Sequence, residues 1–463
     1  MLFAQIALLE MMDNFLWGYI VLPVLLVLGI YLTYESRFVQ FRRLPHIFRA
    51  FFTSITTPHR GSGVHPLKAF FTCIGGCMGI SNVVAVCTAV QIGGPGALLW
   101  IWVTAIAAMV LKYSEVYLGI RYRVVNDKGE YRGGPMYFLQ PVYQHGWILS
   151  LVGVLLCLYG VEIYQFNIIT EIVSTNLHVD KLFAAIVLII LMIAISRKGI
   201  HQVGRIASVC VPCFIICYLA MGIWVFVQNI QVLPSIFRVI VESAFTGHAA
   251  VGAFAGSSIL LTASQGMRRS CYSGDVALGY ASVIHSETGE SCPKQQASLA
   301  ILEVFLDSFV ICTTSIMLIL VTGVWTTPVD VSVLVQHALS GYFSGMHVFM
   351  PLFLLLIGFT TIISYFCAGI KCAEFLCPKI GRRVYYVYAF CSLVGFVFVP
   401  AAQTLTVMSI TAGMLLMLNL YGIFCLRREI EFHTPEKYDL VSPVQIILET
   451  AVGNDNLTQS CDP

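Results

Sequence analysis

Apolar residues run in long blocks along this chain, and polar residues collect in short stretches between them. A spanning helix needs about 20 apolar residues. The pattern predicts eleven such spans, at about 15–35, 67–92, 95–122, 147–171, 181–197, 205–230, 241–263, 297–323, 346–368, 383–401 and 404–426. Two of these blocks are broken by glycine. The block from Pro66 to Ile92 carries Gly75-Gly76-Cys77-Met78-Gly79-Ile80-Ser81-Asn82 in its middle. The block from Val241 to Ala263 carries Gly247, Gly252 and Gly256. Lipid offers no hydrogen-bond partner, so a spanning helix keeps its backbone paired. Glycines in mid-span mark places where the helix unwinds and turns carbonyls and N–H groups toward something else. Two such breaks at corresponding positions of two halves point to the binding site of a secondary transporter.

The charges then set the topology. All lysines and arginines except Lys181 and Arg238 fall on alternate loops or their flanks. They form the sets Arg37, Arg42, Arg43, Arg49, Arg60 and Lys68; Lys112, Arg121, Arg123, Lys128 and Arg132; Arg197, Lys198 and Arg205; Arg268, Arg269 and Lys294; Lys371, Lys379, Arg382 and Arg383; and Arg427, Arg428 and Lys437. Basic loops stay in the cytoplasm, so the N-terminus is expected outside and the C-terminus inside, in the plasma (inner) membrane. The first apolar block follows Glu10 and Asp13 instead of a basic segment, and so reads as a retained helix. Without that first span ten remain, broken in the first and the sixth. Five is odd, so the halves enter the bilayer from opposite sides, which is the inverted repeat of the LeuT-type architecture. The expected fold is an all-α polytopic membrane protein with a 5+5 inverted repeat and one extra N-terminal helix. Its parts are 1–66, an N-terminal helix and basic loop; 67–230 and 241–426, the two repeats; and 427–463, a cytoplasmic tail.

Composition excludes other classes. The 463 residues are 58% hydrophobic and 11% charged, with a mean hydropathy of +0.84. A soluble domain carries about 25% charged residues. The net charge of +2, without a dense basic cluster, gives no sign of a nucleic-acid partner. Nearly all of the 16 cysteines lie inside apolar segments, where buried cysteine behaves as a small hydrophobe. Cys210, Cys213 and Cys217, or Cys73 with Cys77, lack the loop spacing of a zinc site. Asn456-Leu457-Thr458 is a glycosylation sequon only in form, because the tail is expected in the cytoplasm.

Several polar groups stand inside spans. Asn82 and Ser81 end the first glycine stretch, where unwound carbonyls suit a cation and N–H groups suit an anion. Gly252 sits in the second stretch as a candidate substrate contact. Glu162, Gln165 and Asn167 interrupt the fourth span, and polar side chains there face the bundle interior. Gln165 is a candidate donor to a substrate carboxylate, with an interhelical hydrogen bond as the alternative. Asp307, in the eighth span, is expensive in lipid and so functional by default. Thr360, Thr361, Ser364 and Tyr365 lie in the ninth; hydroxyls beside carbonyls make a hard-oxygen site for a small cation. Arg268 and Arg269 are placed on the cytoplasmic side of the second broken helix, where they either pair with Asp275 as a gate or anchor the helix.

The stretch GISNVVAVCTAVQIGGPGALLWIWVTAIAAMVLKYSEVYLGIRYR, followed by KGEYRGGPMYFL, closely resembles the signature region of the alanine or glycine:cation symporter family. FVQFRRLPH, AFTGHAAVGAFAG, VFLDSFVICTTS and GFTTIISYF extend the match, in order, from about Phe15 to Arg427. The resemblance implies a LeuT-like fold with an extra N-terminal helix and sodium- or proton-coupled uptake of small neutral amino acids. The substrate-contact positions it implies are Ile80, Ser81 and Asn82, Gly160 and Gln165, and Thr361 with Tyr365. The chain departs from the family pattern at Ile80-Ser81 (usually Thr-Gly), Tyr365 (usually Trp), Gly274-Asp275 (usually Asn-Glu) and Thr411-Ala412 (usually Pro-Asn). The smaller aromatic at Tyr365 hints at more room for a side chain.

The expected function is therefore sodium-coupled symport of alanine, glycine or serine by alternating access. Sodium is placed between the carbonyls near Gly76 to Gly79 and the hydroxyls of Thr360 and Thr361. The substrate carboxylate is placed near Ser81, Asn82 and Gln165. A proton-coupled carrier using Asp307 or Glu162 is the alternative within transport. A channel should show a ring of repeated filter residues, which two unlike breaks do not supply. A polytopic membrane enzyme should show catalytic groups converging at one membrane face, whereas the polar groups here are spread near mid-depth. Membrane lipid and a small amino acid are the expected partners; the sequence sets no oligomeric state.

Overall fold

The computed structural model describes residues 2–56, 63–126, 129–246, 259–289, 292–327 and 331–432. Gly247, Gly252 and Gly256 lie outside the described residues, as do Arg60, Lys128, Lys437 and the Asn456 sequon. The helices that matter here are α1 (Leu8–Glu35), α2 (Pro66–Cys77), α3 (Ala85–Gly93), α4 (Ala97–Arg121), α5 (Gly146–Tyr159), α6 (Ile163–Leu177), α7 (Lys181–Ser196), α8 (Ile200–Gln228), α9 (Leu233–Thr246), α10 (Ile259–Gly274), α11 (Tyr280–His285), α12 (Pro293–Val321), α13 (Met346–Leu376), α14 (Gly381–Phe396) and α15 (Ala401–Cys425).

Among the described residues seven helices are long and apolar enough to span a membrane, or eight with the bent pair formed by α2 and the segment Ile80–Gly93. Ten of the eleven blocks read from the sequence coincide with a helix or a broken helix, and most of the block 241–263 lies outside the described residues. α7 and α14, at 16 residues each, are shorter than the spans expected there. Outward-facing Val209, Ile216 and Ile223 on α8, and Ile190 and Leu191 on α7, remain exposed. Such continuous apolar faces are what a lipid surface covers.

The first break lies where the sequence places it. α2 ends at Cys77, Met78 and Gly79 leave the helical region, and Ile80–Asn82 makes one 3₁₀ turn before α3 resumes at an angle of 56°. The second break among the described residues lies beyond the glycine-rich stretch, between α10 and α11. There Asp275, Ala277 and Gly279 take φ of +48°, +52° and +99°. A left-handed Ala is costly, about 1–3 kcal/mol, and persists only where its surroundings fix it; Asn419 donates to the Ala277 carbonyl at 2.9 Å. A third interruption, at Gly160-Val161-Glu162, separates α5 from α6, with Glu162 at φ +51°.

α3 packs along α10 and α2 along α11, so the two broken helices lie side by side with their breaks level. α4 runs beside both pairs and against α12, and α13 closes over α2, α5 and α6.

Candidate functional site

Between the two breaks the polar groups meet one another. Asn82 donates its side-chain amide to Asp307 Oδ1. Asp307 Oδ2 accepts from Ser308 at 3.0 Å and from Ser273, one turn before the second break, at 3.2 Å. Asp307 lies in a π-helical stretch of α12 at Phe305–Cys312, a local underwinding common at functional sites. One carboxylate in the eighth span thus ties both broken helices together. Its burial is complete.

The backbone donors of the first break are largely taken. The Gly79 N–H donates to Asn82 Oδ1 at 3.2 Å, and the Ile80 N–H donates to Gln165 Oε1 at 3.0 Å. Gln165 therefore serves the break with its carbonyl instead of offering it a free group. Ser81 donates to Asn82 Oδ1 at 3.1 Å. A Cβ on Gly79 would fall against Gln165 and Thr361, so only glycine admits both neighbours.

The threonine pair of α13 faces the same break from the other side. Thr361 Oγ1 lies 3.1 Å and Thr360 Oγ1 3.4 Å from the Gly75 carbonyl, and both also reach the Ile357 carbonyl. This gathers four hard oxygens. The carbonyl concerned is that of Gly75, one residue before the expected Gly76, whose Cα instead abuts the Tyr280 ring.

Tyr365 is buried and closes no open space. Its ring stacks on Tyr280 at 4.2 Å, and its hydroxyl donates to Asp275 Oδ1. The reading that a smaller aromatic leaves more room is corrected here: the volume is filled by Tyr280. Tyr159 stands 3.5 Å from the same oxygen, while Asp275 Oδ2 is buried without a partner. Gly160 permits close approach, since a Cβ there would lie 3.0 Å from the Tyr365 carbonyl. Glu162 accepts from Tyr272 at 3.0 Å, and Asn167 donates to the Phe396 carbonyl at 3.2 Å.

Two features escaped the sequence reading. The second break at Asp275–Gly279 was masked by the denser glycines upstream, although Ser273-Gly274-Asp275 is a turn signal. Lys112, counted with a basic loop, is wholly buried in α4. Its ammonium lies 3.0 Å from the Gly274 carbonyl, 3.1 Å from Cys77 Sγ and 3.1 Å from Glu303. It therefore sits at the C-terminal ends of α2 and α10 together, where helix dipoles favour a cation. Glu303 also pairs with His285 at 2.8 Å, and the other ring nitrogen of His285 meets Gln296 at 2.7 Å. Cys73, His285 and Glu303 bring ligand-type atoms within 4.8 Å, but the carboxylate and both ring nitrogens are already engaged by this network.

Above the breaks a cavity of about 1390 Å³ descends along α3, α6, α10 and α15. Lys181, Arg268 and Arg269 all line it. The two arginines thus lie on the Lys181 side of the bundle, not with the basic loops. Arg268 pairs with Asp13 of α1 at 2.6 Å instead of with Asp275. On the opposite side the bundle is tied shut. Val64 and the segment after α11 exchange backbone bonds, Val64 N–H to Glu287 and Gly289 N–H to Val64, each at 2.9 Å. Lys371 pairs with Glu287 at 2.7 Å, and Arg123 donates to the Ser286 and Thr288 carbonyls.

Paired broken helices, breaks level and lined with buried polar groups, beside a cavity lined by both, define a polytopic secondary transporter. The chain belongs to the sodium:alanine symporter family, whose model matches residues 3–440. That membership makes it an amino-acid transporter and not an enzyme. It is 29% identical over 393 residues to the sodium/alanine symporter AgcS of Methanococcus maripaludis, covering 82% of this chain and 86% of that one. It is 27% identical to the probable sodium/glutamine symporter GlnT of Bacillus subtilis, covering 90% and 87%. Among solved structures it resembles MhsT in complex with L-phenylalanine, with a TM-score of 0.55 at 14% identity, covering 80% of this chain and 90% of that one. A mutant of the Eremococcus coleocola manganese transporter also gives 0.55, at 13% identity over 86% and 87%. At such identities the likeness establishes the LeuT fold alone.

Proposed function

We propose that the protein couples inward sodium movement to uptake of a small neutral amino acid, such as alanine, glycine or serine. The observation that carries this reading is the set of oxygens from Gly75, Ile357, Thr360 and Thr361, gathered where the first broken helix parts. Hydroxyl and carbonyl oxygens suit a hard cation such as sodium. Sodium there would bridge α2 and α13, so its binding would favour one arrangement of the two. The cavity lies on the side away from the basic loops, which supports an outward-facing state with the cytoplasmic side closed, the N-terminus outside and the C-terminus inside. Voltage adds about 2.3 kcal/mol per charge per 100 mV to the drive.

The relatives' names support the same reading, since they include a sodium/alanine symporter and a probable sodium/glutamine symporter. A proton-coupled carrier is the second reading. It is favoured by the unpartnered buried oxygens Asp275 Oδ2 and Glu162 Oε2. The test is uptake by proteoliposomes holding the full-length protein, with labelled alanine, glycine and serine under a sodium gradient or a pH gradient. Accumulation driven by sodium at symmetric pH is expected. Accumulation driven by the pH gradient alone replaces sodium with a proton, and indifference to all twenty amino acids removes the substrate class.

A further inference from the structure

Three carboxylates, Glu10, Asp13 and Glu171, and three bases, Lys181, Arg268 and Arg269, line the cavity, but they are not all paired with one another. Arg268 is matched by Asp13 and Lys181 by Glu171, each pair at 2.6 Å. Arg269, one residue further down α10, has no carboxylate within ion-pair distance among the described residues, and its Nε is buried without a hydrogen-bond partner. The residue is only 7% exposed, yet it lines the cavity. A guanidinium taken from water without a counter-ion is costly, and more so at membrane depth. Such a group is stable when an anion completes it.

One turn earlier on the same helix stands Gln265. Residues four apart share a helix face. Gln265 is also buried and also lines the cavity, and its Oε1 has no partner. The same face of α10 therefore offers a free cationic donor and a free neutral acceptor about one helical turn apart. An amino-acid zwitterion carries the complementary pair, a carboxylate and an ammonium, on one carbon. The donors of the first break do not compete for that carboxylate, because the Gly79 and Ile80 N–H groups are already bonded to Asn82 and Gln165.

We infer that Arg269 and Gln265 form a zwitterion-binding subsite at the floor of the cavity, Arg269 taking the carboxylate and Gln265 the ammonium. This rests on the amino-acid transport reading above and adds the residues that first capture the substrate. Arg268, held by Asp13, frames the subsite without belonging to it. Chloride is the other anion that a guanidinium takes, and the test separates the two.

The experiment measures equilibrium binding of labelled L-alanine, glycine and L-serine to the purified full-length protein in gluconate buffer, with uptake by the same protein in liposomes. Arg269→Gln is expected to weaken binding about 30-fold or more, as removal of one partner of a buried charge contact does. Gln265→Leu is expected to weaken it less, and Arg269→Lys to retain part of it. In the wild-type protein, phenylglyoxal labelling mapped by mass spectrometry reads Arg269 directly, so the result does not depend on the variants folding. L-alanine is expected to shield Arg269, whereas L-alaninamide, which lacks the carboxylate, is not. Unchanged alanine affinity in a folded Arg269→Gln protein, or shielding by alaninamide equal to that by alanine, overturns the subsite. Shielding by chloride but not by alanine makes the position a chloride site and also overturns it. A wild-type protein that neither binds nor transports any of the twenty amino acids fails on the transport reading instead, which separates the two failures.

Discussion

Asn82, in the turn between α2 and α3, donates its amide to Asp307 in the π turn of α12, and Asp307 in turn accepts from Ser273 at the end of α10. Through these contacts one carboxylate holds both broken helices at their interruptions. Replacing Asp307 by Ala removes the nearest acceptor of the buried Asn82 amide and Ser273 hydroxyl and leaves them only long contacts to Cys312 Sγ and the Ser270 carbonyl. A buried polar group so weakened costs about 1–3 kcal/mol. Asp307→Ala is expected to lower the melting temperature of the purified protein and to abolish uptake, with Asp307→Asn intermediate in stability. Wild-type melting and transport in the Ala variant would show that the tie is dispensable.

Thr361 supplies one of the hydroxyls that meet the Gly75 carbonyl. Thr361→Val keeps the side-chain volume and removes that oxygen. Sodium affinity, read from the sodium dependence of uptake, is expected to fall on the order of tenfold to a hundredfold, taking the oxygen as about 1.5–3 kcal/mol. Thr361→Ser is expected to restore most of it. An unaltered sodium dependence in the Val variant would move the cation elsewhere.

Gly79 admits Gln165 and Thr361 only because it has no Cβ. Gly79→Ala must displace both of them, and overpacking of this kind costs about 1–3 kcal/mol. Gly146→Ala, where a Cβ meets nothing within 4 Å, is the matched control. Thermal melts of the two proteins should differ, with a loss of uptake confined to Gly79→Ala; equal melts would refute the packing argument.

Tyr365 is the near donor to Asp275, with Tyr159 at 3.5 Å as the remaining one. Tyr365→Phe preserves the stack on Tyr280 and removes the hydrogen bond. A loss of about 1–3 kcal/mol is expected. Tyr365→Trp is expected to destabilise as well, because Tyr280 already fills the space beside the ring. Comparison of substrate panels for wild type and Tyr365→Trp checks the second point: an altered size preference without loss of stability would restore the view of this residue as a lid.

The spans were legible because a bilayer imposes length and apolarity on each segment separately. The first break was legible for a similar reason: three glycines and Asn82 in one apolar block announce it locally. The glycines expected to mark the second, Gly247, Gly252 and Gly256, lie outside the described residues, and the interruption that is described lies further on, at Asp275–Gly279. Ser273-Gly274-Asp275 is a turn signal, but the left-handed backbone of Ala277 is disfavoured for its residue type and shows only in the fold, where Asn419 holds its carbonyl. The side of Arg268 and Arg269 was misread, since their place depends on where α10 breaks. Asp307 was recognised as significant from its cost in lipid, but its partners, Asn82 and Ser273, lie 225 and 34 residues away.

The sequence by itself determined what each segment does against its solvent: which blocks enter lipid, which loops stay charged, and that the chain carries a transporter's interrupted helices. Only the tertiary structure decided what the interruptions touch. It set Gly75 against Thr360 and Thr361, packed Tyr365 onto Tyr280, drew Lys112 to the ends of two helices, and left Arg269 unmatched beneath a cavity. These are pairings between distant segments, and their energies depend on distance and burial. Hydropathy along one segment carries no record of either.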